Sequence, residues 1–191
     1  MHTKILLAFA LLLFQVGRAF AGESCSGEAS SGGQFVINDN ASFTNTISVP
    51  ESGSVTSISV NLTLTHTFFA DLDISLTSPD GTVVDLTSDN GGGGDIDGGI
   101  SFNDVASPSI VGAVAPFAGI YKPELPLSAF FGEGMSGNWK LTVADDGIGD
   151  SGVLQGWSMG YCYIPGPEEG ENEGALEGEG AADVCSGEAG Q

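Results

Sequence analysis

The chain has 191 residues, with 25 acidic against four basic ones and a formal net charge of −21 at pH 7. Nucleic acid and anionic membrane surfaces repel so negative a protein and are excluded as partners. Cations suit it, calcium above all, because clustered carboxylates are hard oxygen ligands.

Taken in chain order, Met1 to Ala21 opens with Lys4, continues through an apolar run from Ile5 to Phe14 and ends in Ala19-Phe20-Ala21. This is the pattern of a secretory signal peptide cleaved after Ala21, and the run is too short to span a bilayer. The expected mature protein is secreted, extracellular or at the cell surface, with no membrane insertion after cleavage. Loss of Lys4 and Arg18 leaves Lys122 and Lys140 against 25 acids, so the expected mature charge is 2 − 25 = −23.

Residues 22–34, rich in Ser, Gly and Glu, are predicted to be a flexible lead-in carrying Cys25. The domain is placed at 35–164, about 140 residues with the lead-in, enough for one core. Strands are predicted near 34–37, 46–49, 54–65, 71–77, 82–87, 100–103, 138–144 and 153–163, each a short alternating run bounded by Gly, Pro, Asn or Asp. Ile58, Val60, Leu62 and Leu64 share one face of the third, opposite Ser59, Asn61, Thr63 and Thr65. Leu72, Ile74 and Leu76 alternate with Asp71, Asp73, Ser75 and Thr77, and Ser78-Pro79-Asp80-Gly81 supplies a tight turn. Trp139, Leu141 and Val143 repeat the pattern, as do Trp157, Met159 and Tyr161, and these aromatics are expected in the core. No window outside the signal peptide has helical periodicity. Two long loops remain, Ser88 to Gly99 and Val105 to Phe131, and loops of that length are held by something or functional.

From Pro165 to Gln191 the composition turns to Glu and Gly with no basic residue, which predicts a disordered acidic tail. Within it Cys185-Ser186-Gly187-Glu188-Ala189 repeats Cys25-Ser26-Gly27-Glu28-Ala29. Coincidence in a biased composition and the beginning of a second module are both consistent with that repeat.

The block from His66 to Thr82 resembles the P domain, also called Homo B, that follows the catalytic domain in kexin- and furin-like proprotein convertases and in bacterial subtilisin-type serine proteases. Further matches follow in the family's order: Phe102-Asn103-Asp104, Tyr121-Lys122-Pro123-Glu124 with Leu127-Ser128, Gly137 to Asp145, and Gly152 to Trp157. The resemblance covers roughly residues 35–163 and implies a jelly-roll β-sandwich of about eight antiparallel strands, similar to galactose-binding-like domains. Its two ends would lie side by side, so that Cys25, just before the first strand, and Cys162, in the last, form a disulfide. Cys185 would then be unpaired or intermolecular.

Serine endopeptidase activity is associated with the family, yet the residues here do not support an enzyme. Beyond the signal peptide there is one histidine, His66, expected to be buried and hydrogen-bonded, and neither Gly-x-Ser-x-Gly nor Gly-Thr-Ser-Met-Ala occurs. Three cysteines and one histidine lack zinc spacing, and no pair of acids is marked as a glycosidase pair. Calcium is the expected ligand. Asp71 and Asp73, Asp95 and Asp97 on a glycine loop, and Asn103-Asp104 are predicted to meet at one end of the sandwich. A second set is Asp145, Asp146 and Asp150 in the loop before the last strand. The expected role is a non-catalytic accessory module whose partner is a secreted serine protease in trans. The alternative is a calcium-dependent carbohydrate-binding or adhesion module on a surface polysaccharide.

Overall fold

The computed structural model describes residues 22–166. The expected signal peptide and all but the first two residues of the expected tail, with Cys185, lie outside them.

Among the described residues nine strands form two sheets: β1 (Ser24–Ile37), β2 (Ser42–Val49), β3 (Gly53–His66), β4 (Leu72–Thr77), β5 (Val83–Thr87), β6 (Ile96–Phe102), β7 (Gly119–Tyr121), β8 (Gly137–Asp145) and β9 (Gly152–Pro165). The order is β1-β9-β3-β6-β7 in one sheet and β2-β8-β4-β5 in the other. Each sheet presents its alternating apolar face to the other, and a jelly-roll-like β-sandwich results. Val60, Leu62 and Leu64 of β3 face Leu72, Ile74 and Leu76 of β4 across a core that also takes Trp139, Leu141, Val143, Trp157 and Met159, all buried. The indole N–H groups are satisfied there: Trp139 donates to the Met135 carbonyl at 3.0 Å and Trp157 to Asn45 Oδ1 at 2.8 Å. The Ser78–Gly81 turn closes with the Gly81 amide on the Ser78 carbonyl at 3.1 Å and Gly81 at φ +95.

Three expectations are corrected. Residues 24–34 are not a flexible lead-in but the greater part of β1, so Cys25 lies within a strand and not before it. Apolar alternation is missing because this edge strand needs small residues: a Cβ at Gly27 would stand 1.9 Å from the Tyr161 ring. Hydrogen bonding to β9 replaces side-chain burial as the ordering force. The Val105–Phe131 segment is not loop throughout but contains β7, which pairs parallel with β6. Three residues are too few to show a period. Finally, β6 begins at Ile96, which places Asp97 on a strand and not in the preceding loop.

Candidate functional site

The first long loop, the middle of the second around Ala115, and the turn after β8 gather at the end of the sandwich where β3 finishes. There β3 delivers His66, a 3-10 turn at Phe69–Asp71 delivers Asp71, and β8 delivers Asp145. The His66 and Asp145 side chains are fully buried, with Nε2 3.0 Å from Oδ2. His66 Nδ1 lies 2.8 Å from the Phe68 carbonyl and 3.2 Å from the Phe68 amide. A neutral ring accepts from that amide, and a protonated ring donates to that carbonyl. Either way both nitrogens are spent inside the protein, and His66 is the buried, hydrogen-bonded residue the sequence predicts. Asp145 Oδ1 also accepts from the Gly147 amide at 3.2 Å.

The Asp71 carboxylate occupies the space where a side chain at Gly147 would be, with its Cγ 2.1 Å from the position of a Cβ there. Burial, then the charges of Asp145 and Asp150, push the Asp71 carboxyl above its ordinary value of 3.8, while His66 opposes the rise. Asp150 accepts from the Thr67 hydroxyl at 2.8 Å. Asp71, Asp145 and Asp150, drawn from both predicted sets, therefore share one neighbourhood.

Asp73 belongs to a different group on the outer face of the β4–β5 pair. Asp85 Oδ2 accepts from the Ser88 hydroxyl at 2.7 Å, and Glu124 Oε2 accepts from the Ser88 amide at 3.0 Å and Asn90 Nδ2 at 2.9 Å. One oxygen of Asp73 and one of Asp85 are buried without a hydrogen-bond partner. Burial is the main cause that raises the Asp73 carboxyl above 3.8; Ser88 pulls against it, and Asp146, Asp89 and Asp85 add to the rise. A carboxylate oxygen buried and unpaired is costly unless a cation or proton meets it.

Of the remaining predicted ligands, Asp95 and Asp97 border the first group and Asp104 stands apart from both. Asp104 is engaged in holding a second 3-10 turn, Leu127–Phe130, accepting from the Leu127 and Ser128 amides at 2.8 Å each. Asp95 and Asp97 line an open cavity of about 200 Å³ with Thr65, His66, Thr67 and Ser151. Among the described residues, one group alone brings three metal-ligating side chains within 4.8 Å of one another. It consists of Glu23, Cys25 and Cys162, and its two sulfurs are joined as a disulfide. Asp85, Ser88 and Glu124 are absent from the sequence-predicted set. Asp85 was visible there as an acid facing away from Val84 and Leu86, but nothing in the pattern brings Glu124 to it.

The family model of the proprotein convertase P-domain matches residues 55–161. Among solved structures, the serine protease of Aeromonas sobria superposes with a TM-score of 0.51 at 19% identity, over 74% of this chain and 27% of that one. A complex of Aeromonas sobria serine protease with a chaperone gives 0.52 at 18% identity, over 76% of this chain and 28% of that one. The chain thus spans little more than a quarter of either, and the likeness is one of fold. No curated protein matches the sequence.

Proposed function

The chain belongs to the proprotein convertase P-domain family, and from that premise we propose that it is an exported, non-catalytic accessory module that docks on a subtilisin-type serine protease in trans. The observation that carries this reading is the segment from Val105 to Tyr121. It holds no charged side chain in a chain of net charge −21, yet Val105, Val111, Val114 and Ile120 are more than half exposed. Apolar surface kept free of charge in so acidic a protein suits the core of a protein interface. The segment is shaped in advance, since buried Phe117 packs on Phe69 at 4.7 Å and on Tyr121 at 5.9 Å between ring centres. Such pre-organisation lowers the entropy lost on docking.

The test is the half-life, at elevated temperature, of a subtilisin-type protease lacking a P domain of its own. Wild-type protein is expected to prolong it. A Val111→Asp, Val114→Asp variant with unchanged melting temperature is expected not to. Equal protection by wild type and variant, or by neither, removes this surface from the account.

Calcium belongs to the same proposal. Asp73 and Asp85 fit the ion best, because each has a buried oxygen without a partner. With Ser88 and Glu124 beside them they supply the hard oxygen donors that calcium takes. The ion would neutralise charge at the base of the Ser88–Asn90 loop.

A second reading, glycan binding, is favoured by the outer face of the five-stranded sheet. Ser101 donates to Asn61 Oδ1 at 2.7 Å and Asn61 Nδ2 to Ser158 at 3.3 Å, in a neutral row of hydroxyls and amides. Ser30 of β1 stands opposite Ser158, so the row continues with a further hydroxyl-bearing residue onto the edge strand. Saturable binding on a polysaccharide panel that Asn61→Ala abolishes would establish it; no binding would discard it.

A further inference from the structure

The seat of Cys25–Ala29 on β9 is demanding, and the chain carries a second segment that meets its demands. Cys25 is bonded to Cys162. Gly27 stands opposite Tyr161, where a Cβ would fall 1.9 Å from the ring, and the ring is held because its hydroxyl donates to Glu51 at 2.9 Å. Glu28 faces outward opposite Gly160, and Ala29 packs against the core opposite Met159. The seat therefore asks for cysteine, glycine two residues on, and a small apolar residue two further. Cys185-Ser186-Gly187-Glu188-Ala189 has all three at the same spacing.

The N-terminal part of β1 is also set apart from the rest of its sheet, on an edge with β9 as its one neighbour. The β1–β9 register breaks between Ser24 and Gly27 and again between Gly32 and Phe35, where Gly33 takes φ +116, so residues 27–32 and 35–37 are separate paired stretches of one edge strand. The disulfide borders an open cavity of about 230 Å³ lined by Ser57, Ser59 and Gly160, which gives an attacking thiolate access to the sulfur.

We propose that Cys185–Ala189 exchanges with Cys25–Ala29 for the same place on β9, with Cys162 passing its disulfide from Cys25 to Cys185. The Cys185 thiolate attacks the Cys162 sulfur, the Cys25–Cys162 bond breaks as the Cys162–Cys185 bond forms, and Cys25 leaves as a thiolate that takes up the proton Cys185 gave up. One disulfide and one thiol stand on each side, so no outside oxidant is needed. Direction and reach both permit it within one chain. A tail returning from the end of β9 runs antiparallel to it, as β1 does. A flexible chain of the length from Gly166 to Cys185 would reach about 24 Å, against about 13 Å back along the strand to Cys162.

The test is disulfide mapping by mass spectrometry on the full chain, equilibrated in a mildly alkaline glutathione buffer, quenched in acid and alkylated. Monomeric wild type is expected to show Cys162–Cys185 beside Cys25–Cys162, and Cys25→Ser to convert almost wholly to Cys162–Cys185. Gly187→Val, whose side chain would meet the Tyr161 ring in the seat, is expected to lower the Cys162–Cys185 fraction by about tenfold or more. It alters only the tail, so its outcome does not depend on whether the Cys25 variant folds. An unchanged fraction in Gly187→Val overturns the proposal, because simple proximity of thiols would then explain the bond. So does the absence of Cys162–Cys185 from wild-type monomer, or its presence only between chains.

Discussion

His66 and Asp145 stand 79 residues apart in sequence and make, among the described residues, the one contact between a basic and an acidic side chain, an ion pair when the ring is protonated and a hydrogen bond when it is neutral. Removing one partner leaves a buried polar atom of the other unsatisfied, which costs about 1–3 kcal/mol for a neutral pair and about 3–5 kcal/mol for a charged one. Asp145→Asn and His66→Leu are each expected to lower the urea-unfolding free energy by that order, and the double variant to lose less than the sum. Asp73 predicts the opposite sign. Its carboxyl is raised above 3.8 chiefly by burial, so the fold binds that proton more tightly than the unfolded chain does. The contribution is fully present below pH 3.8 and is lost as pH rises through the raised value. Asp73→Asn is therefore expected to raise the melting temperature at neutral pH and to flatten the decline above pH 3.8. Calcium should do for wild type what the substitution does: millimolar calcium after EDTA should raise its melting point and leave Asp73→Asn, Asp85→Asn unmoved. Equal calcium shifts in both proteins would move the ion elsewhere, to the Asp71 and Asp150 neighbourhood.

At the scale of the elements, strands buried on one face were legible in the sequence. Ile58 to Leu64, Leu72 to Leu76 and Trp139 to Val143 alternate because a period of two is what a half-buried strand requires. The first half of β1 and the three residues of β7 were not legible. The former is selected for small side chains against Tyr161, the latter is ordered by the parallel ladder with β6, and neither demand leaves a periodic trace. The candidate site was legible only as residue types. Acids on glycine loops were visible, but which of them meet depends on strand pairing across the sandwich, and Asp104 turned out to be part of a loop anchor. That difference is measurable. Asp104→Ala frees two amides of the Leu127–Phe130 turn and is expected to cost about 1–2 kcal/mol, as loss of a cap does. The loss should be the same in EDTA and in calcium, and a loss confined to calcium would return Asp104 to the metal ligands.

For the molecule as a whole, the disulfide acts at an edge that has little else to hold it. Residues 24–32 meet the sheet on one side only, through β9, and bury few apolar side chains. The Cys25–Cys162 bond closes a separation of 137 residues, so on the chain-entropy account it restricts the unfolded chain by up to about 5 kcal/mol. That gain is realised only if the edge remains seated when the bond is cut. If residues 24–32 fray after reduction, the rest of the sandwich opens later and the loss shared by the whole fold is smaller. Cys162→Ser separates the two cases, since it removes the bond for either cysteine that would reach β9. Hydrogen exchange in this variant is expected to accelerate first in amides 24–32 and on the facing edge of β9, while β3, β4 and β8 keep most of their protection. Uniform acceleration across all nine strands would mean that the edge and the core unfold as one unit, and that the bond stabilises the sandwich entire.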